Sequence, residues 1–339
     1  MVGTRHFSSA LRRVCAVGCF AGVCGFPFAG HGPHQTPHAL VAGEARAHTA
    51  PELSPGEDLF QPHTAWTVVS EGHASLAGLA TNAAGHLFFN DPAEGKTYKL
   101  APHPTSGAEP FIEESGHATG QAFGPDGRLY AAAAGERKIV AYPHADAMQV
   151  LAEDLSGTDL IVAHDGGIYV TASAQDASDS GSVWFVAPGR EPQRVDSGLG
   201  SCGGIALSPD QRTLYAADPR AGVLYSYSIA EKKFPAPRRL FHRFAQSGST
   251  NDRTPSGIAV SRQGMLFLAT STGIRVCDAS GRLRCVLPGP GGPVTHLAFG
   301  GPQRDVLYVA CGGKIYERGV LEQGARPFDR PTEFRAAGR

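Results

Sequence analysis

The side chains that could do chemistry in this sequence are histidines, serines and isolated carboxylates. His73, His117 and His296 are candidates for a transition-metal or general-base site because imidazole suits both roles. No pair of them has the spacing of metal ligands. Ser201 and Ser256 could act as nucleophiles, but the chain has no G-x-S-x-G turn to present one. The residues alone therefore predict no catalytic residue and no metal ligand.

The seven cysteines also lack a site motif. No C-x-x-C is present, so the zinc, iron–sulfur and c-type haem signatures are absent. Cys277 and Cys285 flank the turn at Gly281 and could face each other across a hairpin. A disulfide in an oxidising compartment and a pair of buried thiols both remain open.

The composition is that of a globular, turn-rich protein, with 43 glycines and 25 prolines in 339 residues. Thirty Lys and Arg residues against thirty-one Asp and Glu residues give a net charge of -1. Such a chain has no basic field to gather phosphates, so a nucleic-acid partner is excluded.

The N-terminus predicts export. Arg5, Arg12 and Arg13 precede the uncharged apolar run 14–30, which is the layout of a signal peptide. Glycines and a proline interrupt this run, and a membrane span needs about 20 predominantly apolar residues. We expect a periplasmic or extracellular protein. Cleavage at the A-x-A sequence 45–47, a lipoprotein cut before Cys19 and an uncleaved tail remain open.

An internal repeat predicts the fold. Six short apolar strands start near Gly78, Gly120, Asp159, Gly204, Gly257 and His296, and each is followed by a turn and a second strand with an aromatic residue. The aromatic residues Phe88, Tyr130, Tyr169, Tyr215, Phe267 and Tyr308 are 42, 39, 46, 52 and 41 positions apart. This period is that of a four-stranded blade. The chain is therefore predicted to be an all-β, six-bladed β-propeller preceded by a signal peptide and a linker.

The repeat also sets the expected boundaries. Residues 1–47 hold the signal peptide and the start of a linker, 48–62 continue the linker, 63–318 form the propeller, and 319–339 form a flexible tail. Trp66 to Val69 is expected to lie beside the last blade and so to close the ring. A closed ring leaves no exposed sheet edge between its first and last blades.

The residues just before the six first strands should surround one mouth of the central channel. They are Ala77, Thr119, Thr158, Gly203, Ser256 and Thr295. This ring is small and neutral.

The order of the blade motifs resembles the senescence-marker-protein and gluconolactonase family. The likeness covers residues 66 to 317 and rests on EGHASLAGLATNAAGHLFFNDP, FGPDGRLY, GIALSPDQRTLYAAD, GIAVSRQGMLFLAT and LAFGGPQRDVLYVACGGKIYE. It implies a metal-dependent lactonase. In such enzymes a glutamate, two asparagines and an aspartate hold a divalent cation, typically calcium, at the channel mouth.

The four metal-binding positions of the family are all substituted in this chain. The glutamate corresponds to Ala77, the asparagines to Thr158 and Gly203, and the aspartate to Ser256. Calcium takes six to eight oxygen ligands and depends on carboxylates. We therefore expect a degenerate metal site with no cofactor. Thr119, Asp159, Thr295 and His296 remain as possible ligand contacts.

Two functions follow from this combination. The first is non-catalytic binding of a small molecule or a protein partner at the channel mouth of an exported propeller. The alternative is a metal-dependent lactone or ester hydrolase with a rebuilt site that uses Asp159 or the nearby histidines. Inheritance of the fold supports the second hypothesis only by analogy.

Overall fold

Six four-stranded antiparallel sheets surround one central channel. The computed structural model describes residues 56–102, 104, 107–174, 180–244 and 255–332, which belong to one compact unit. Each sheet is one blade, and its first strand lies against the first strands of both neighbouring blades. The predicted six-bladed β-propeller is confirmed.

The strands are numbered β1 to β24 along the chain. The strands that line the channel are β2 (Ala77–Thr81), β6 (Ala118–Phe123), β10 (Gly157–Val162), β14 (Ile205–Leu207), β18 (Ile258–Val260) and β22 (Val294–Gly300). The second strands are β3 (Leu87–Asp91), β7 (Leu129–Ala133), β11 (Ile168–Ala172), β15 (Thr213–Asp218), β19 (Leu266–Thr270) and β23 (Val306–Cys311). The third strands are β4 (Lys96–Leu100), β8 (Lys138–His144), β12 (Gly181–Val186), β16 (Val223–Ser228), β20 (Gly273–Cys277) and β24 (Lys314–Gly319). The outermost strands are β5 (Glu109–Ile112), β9 (Ala147–Ala152), β13 (Gln193–Leu199), β17 (Arg238–Arg243), β21 (Leu283–Leu287) and β1 (Thr67–Ser70).

The second strands form the core between blades. All residues of β3, β7, β11, β19 and β23 are buried because a neighbouring blade covers each face of the sheet. The repeated aromatic residues lie there: Tyr169, Phe267 and Tyr308 have no exposed surface. An apolar side chain gains roughly 1.5–3 kcal/mol from full burial, so the repeated aromatics stabilise the contacts between blades.

The ring closes between the first and last strands. β1 pairs with β24 in antiparallel register, with Thr67 opposite Glu317 and Val68 opposite Tyr316. The outermost strand of the last blade therefore comes from the start of the propeller, as the sequence predicts. The first and last blades leave no seam of unpaired strands between them.

The segments expected as linker and tail differ from that expectation where the structure describes them. A short 3₁₀ helix (Glu57–Leu59) leads to Phe60, which is 4% exposed and pairs with Val320. Beyond β24, the backbone of Ala325 donates to the Val260 carbonyl. Residues 320–332 therefore continue across one end of the channel. The apolar side chains that hold these segments are few and irregularly spaced, so they show no periodic pattern in the sequence.

Cys277 and Cys285 are buried, and neither takes part in a disulfide. A bulge places Cys285 opposite Val276 and Cys277 opposite Leu283, so the two cysteines do not face each other directly.

No helix among the described residues is long and apolar enough to cross a membrane. The segment interpreted as a signal peptide lies outside the described residues.

Candidate functional site

The six residues expected at the channel mouth occupy matching positions, within two residues of the start of each innermost strand. Ala77 and Gly203 are buried, Thr119, Thr158 and Ser256 are half-buried, and Thr295 is exposed. We call these residues, Ala77, Thr119, Thr158, Gly203, Ser256 and Thr295, the mouth ring. It carries hydroxyl, methyl and backbone groups and no ionisable side chain.

The hydroxyl groups of the mouth ring bind protein atoms. Thr119 Oγ1 donates to the Gly157 carbonyl at 3.1 Å, and Ser256 Oγ donates to the Thr295 carbonyl. Thr158 Oγ1 lies 2.8 Å from Ser173 Oγ. Each of these contacts joins neighbouring strands or blades, so the hydroxyl groups help to hold the mouth together.

Asp159 and His296 lie one residue further into the channel, in blades three and six. These blades are opposite each other in a ring of six. Asp159 pairs with Thr171 and His296 pairs with Ala310, and the matching residue of blade two, paired with Ala132, is Gly120. Glycine also stands at this level in blades one, four and five. Asp159 and His296 are therefore the two side chains of a second ring that is otherwise glycine.

The innermost strands come very close together at this second ring. A methyl group on Gly120 would lie 2.4 Å from the Cα of Asp159, and one on Gly257 would lie 3.0 Å from the Cα of His296. Contacts below about 3.4 Å are shorter than carbon atoms normally adopt. Glycine at these positions allows adjacent blades to pack backbone against backbone.

The surroundings of Asp159 and His296 reduce their charge. Asp159 accepts the Ile205 N–H at 3.2 Å and the Leu160 N–H at 2.9 Å, as expected for a carboxylate that satisfies backbone groups. Desolvation inside the channel nevertheless raises the pKa of Asp159 to about 7. Desolvation also lowers the pKa of His296 to about 4, so its imidazole is neutral at physiological pH. His296 Nδ1 is buried without a hydrogen-bond partner among the described residues.

The other histidines considered as a site with His296 lie elsewhere. His73 packs against Phe89 and Tyr98 and hydrogen-bonds Ser70 Oγ. His117 Nδ1 lies 2.7 Å from the Pro92 carbonyl oxygen. Within the described part of the chain, no three His, Cys, Asp or Glu side chains are grouped as a metal site would require.

Asp91 and Asp218 are buried carboxylates that stabilise turns of the blades. Asp91 accepts backbone N–H groups of Ala74, Ser75, Ala93 and Glu94 at 2.9–3.3 Å. Asp218 makes the equivalent contacts in blade four, accepting from the backbone N–H groups of residues 200, 201 and 221. Through these hydrogen bonds, each carboxylate links the loop before an innermost strand to the turn after the second strand of the same blade.

Sequence reasoning missed two buried amides near the channel. Asn90, with no exposed surface, has an Nδ2 without a partner among the described residues, although its Oδ1 accepts the Thr97 hydroxyl at 2.7 Å. Gln121 is 3% exposed, and neither end of its amide has a partner in that region. A signal for Gln121 was present in the repeat, because the five other blades have leucine or isoleucine at its position.

The geometry described so far is shared with a known group of proteins. The sequence profile described as SMP-30/gluconolactonase/LRE-like region matches residues 77–312, which span all six innermost strands. The chain belongs to this family. The resemblance inferred from the blade motifs is confirmed.

Curated members of the family include lactonases. The chain is 26% identical over 249 residues to the gluconolactonase of Zymomonas mobilis, across 63% of this chain and 69% of that protein. It is 28% identical over 177 residues to lactonase drp35 of Staphylococcus aureus. This second match covers 49% of this chain and 55% of the Staphylococcus protein, so the chain spans about half of that relative.

Solved structures share the propeller. A gluconolactonase from Xanthomonas campestris superposes with a TM-score of 0.68 at 21% identity, covering 79% of this chain and 93% of that one. The calcium-binding protein regucalcin from Agrobacterium tumefaciens gives 0.66 at 19% identity, covering 77% and 95%. These similarities concern the fold.

The residues of the mouth ring do not fit the calcium ion that the family resemblance implies. The side chain of Ala77 offers no oxygen ligand, and Gly203 has no side chain. A side chain could not simply be restored at Gly203, because its Cβ would lie 2.5 Å from the Pro255 carbonyl oxygen. The Thr158 and Ser256 hydroxyl groups are neutral and bind protein atoms. Calcium needs six to eight oxygens with carboxylates among them, and this set supplies neither the number nor the charge.

Proposed function

We propose that this chain is an exported, gluconolactonase-like propeller whose metal site is degenerate and which binds a ligand at the channel mouth without catalysis. The single observation that carries the proposal is the mouth ring. Its hydroxyl groups serve contacts between strands, and its two remaining positions are the methyl group of Ala77 and the hydrogen atom of Gly203. Support for export comes only from the signal-peptide pattern of the first 30 residues.

The ligand proposed for the mouth is a small, neutral, polar molecule, such as one resembling a sugar, or a protein surface of similar polarity. Hydroxyl oxygens that donate one hydrogen bond can still accept another. Thr119, Thr158, Ser256 and Thr295 offer such oxygens on one ring, with neutral His296 just below. No nucleic acid is proposed, because the net charge is -1. A membrane span is not expected after removal of the signal peptide.

The alternative is a lactone or ester hydrolase with a rebuilt site. The observation that favours it is Asp159, a carboxyl group whose pKa of about 7 would suit a general base, at the same level as His296. Two relatives carry the names gluconolactonase and lactonase. Against this reading, Asp159 already accepts two backbone N–H groups.

A metal titration and a lactonase assay separate the two functions. A ligand that binds only the folded state raises the melting temperature in proportion to occupancy. We expect no shift with millimolar calcium, manganese or zinc, and no hydrolysis of gluconolactone above the rate without protein. The Zymomonas mobilis gluconolactonase is the positive control for hydrolysis. Metal-dependent hydrolysis that disappears in Asp159→Ala but survives in Asp146→Ala would overturn the proposal in favour of the enzyme.

A further inference from the structure

A cavity of about 100 Å³ lies in the channel on the inner side of Asp159 and His296, above the C-terminal segment. We call it the lower chamber. Most of its wall is apolar and comes from innermost strands, including Ala122, Ile161, Ala206, Leu297 and Phe299. Pro327 and Phe328 form its floor. A water molecule occupies about 30 Å³ in the liquid, and apolar cavities of about 150 Å³ can bind benzene. At about two-thirds of that volume, the chamber has room for a short chain of a few carbon atoms.

Arg304 places a positive charge against this apolar space. The residue is 7% exposed, belongs to the turn between β22 and β23, and lines the chamber. Its Nη1 donates to Thr81 Oγ1 at 2.6 Å, its Nε to the Gly324 carbonyl at 3.3 Å, and its Nη2 to the Ala325 carbonyl at 3.1 Å. A guanidinium has five N–H groups, so these three bonds leave two to donate elsewhere.

The guanidinium of Arg304 forms no close ion pair within the described part of the chain, although the Asp329 carboxylate is near enough to favour its charged form. Each of its three acceptors is uncharged, and no carboxylate of the described residues forms an ion pair with it. Burial lowers its pKa to about 9, which still leaves it charged at neutral pH. Buried charges in proteins are normally paired because an unpaired one is costly. Asp329 offsets part of this cost, and an anion in the chamber would lower the remainder.

Gln121 lines the same chamber, but its amide nitrogen and oxygen are buried in the wall. Both ends of its amide lack a partner among the described residues, and it stands where the other blades have Leu79, Leu160, Ile205, Ile258 and Leu297. A buried polar group without a hydrogen bond costs about 1–3 kcal/mol. A leucine at this position would avoid the cost, and a polar ligand would satisfy the amide if the Gln121 side chain turned towards the chamber.

We propose that the lower chamber binds a short-chain monocarboxylate, with its carboxylate on Arg304 and its hydrocarbon chain against the apolar wall. The planar fork of a guanidinium matches the two oxygens of a carboxylate. Apolar walls disfavour phosphate and polyols, because the oxygens that do not contact Arg304 would lose their hydration without gaining a hydrogen bond. The chamber shares no residue with the mouth ring, so this inference does not depend on the function proposed there.

Butyrate is the probe for this proposal, because it pairs a carboxylate with a short apolar chain. Isothermal titration and ¹³C NMR of the full chain should detect butyrate binding, with butyramide at least about tenfold weaker because hydrogen bonds to charged groups are the stronger ones. Butylammonium, with the opposite charge, should not bind. If the protein binds no butyrate at concentrations up to about 10 mM, the proposal is wrong, because so weak an affinity would mean that the charge of Arg304 contributes nothing to binding.

Two variants locate the site. Arg304→Met should reduce butyrate affinity at least about tenfold, while Arg304→Lys keeps the charge without the fork and should fall between. Gln121→Leu, which copies the other blades and should fold, is expected to weaken butyrate binding severalfold. The control is Arg128→Met, on the equivalent turn of blade two, where the arginine is bonded to Asp126 outside the chamber.

Each outcome decides the inference. Reduced affinity in Arg304→Met and Gln121→Leu with unchanged affinity in Arg128→Met supports it. If Arg304→Met does not fold, the affinity of Arg304→Lys decides: a reduced affinity supports the proposal, and an unchanged affinity contradicts it. If the native protein does not bind butyrate and Arg304→Met only lowers the melting temperature, then Arg304 serves to hold the C-terminal segment in place. The proposal would then be wrong.

Discussion

Gly120 and Asp159 touch across the boundary between blades two and three, so closely that a methyl group on Gly120 would lie 2.4 Å from the Asp159 Cα and 2.7 Å from its Oδ1. The contact is between backbones, which cannot move aside as a flexible side chain can. The spacing of the innermost strands around the second ring therefore depends on glycine.

Gly120→Ala should destabilise the propeller by about 1–3 kcal/mol, the usual cost of overpacking a filled core. Urea denaturation followed by tryptophan fluorescence would measure the loss. Gly107→Ala is the matched control, because Gly107 is exposed and an added methyl group meets no atom within 4 Å. Equal midpoints for the two variants would show that the blades can separate at no cost.

Asp159 and His296 are expected to change the pH dependence of stability in opposite directions. The pKa of Asp159 rises on folding from 3.8 to about 7, so its contribution is present at low pH and is lost as the pH increases through 7. The pKa of His296 falls on folding from 6.5 to about 4, so its contribution is present above 6.5 and is lost as the pH decreases through 4. In the native protein the two effects oppose each other between about pH 4 and about pH 7.

Single variants separate these two contributions. Compared with the native protein, Asp159→Asn should lose stability more steeply as the pH is lowered from about 7 to about 4, and His296→Gln should gain stability over the same range. Denaturation curves at several pH values provide the measurement. Three parallel plots of unfolding free energy against pH would contradict the prediction.

Asp91→Ala should destabilise blade one by about 3 kcal/mol or more, because it leaves four backbone N–H groups without their charged acceptor. Thermal unfolding would record the change. Asp146→Ala, in the exposed turn between β8 and β9, is the control and should stay within about 0.5 kcal/mol of the native protein. A small effect of Asp91→Ala would mean that water replaces the carboxylate.

A chain that ends at Gln323 should be less stable than one that ends at Thr332. The shorter chain loses the Gly324 and Ala325 carbonyls that accept from Arg304, and the Pro327 and Asp329 carbonyls that accept from Gln211. It also uncovers the apolar lower chamber. We expect a loss of about 2–4 kcal/mol and increased binding of a hydrophobic dye such as ANS. Unchanged stability and dye binding would mean that the segment is not part of the folded unit.

The closing strand and the terminal segments show how far the repeat can predict the fold. Val68 beside Tyr316 was predictable because a propeller needs its ends to meet, and six repeats leave one strand short. Phe60 against Val320, and Ala325 on Val260, were not predictable. These contacts depend on single apolar residues and on backbone hydrogen bonds that have no period in the sequence.

The candidate site likewise combines features that the sequence predicted with features that it did not. Its positions followed from the repeat, and the methyl group of Ala77 and the hydroxyl group of Ser256 could be read directly from the sequence. The sequence did not reveal that Gly203 is blocked by the Pro255 carbonyl, because that contact joins two blades. Nor did it reveal Arg304, whose turn sequence resembles that of Arg128 although only Arg304 is buried.

By itself, the sequence determined the number of blades, the order of their strands and the chemical types at the mouth ring, because each of these repeats along the chain. Only the tertiary structure decided which polar groups are desolvated. Asp159, Gln121 and Arg304 come from three different blades, and their environments depend on neighbours far away in sequence. Desolvation is a property of the assembled channel, so no local pattern of residues could have shown it.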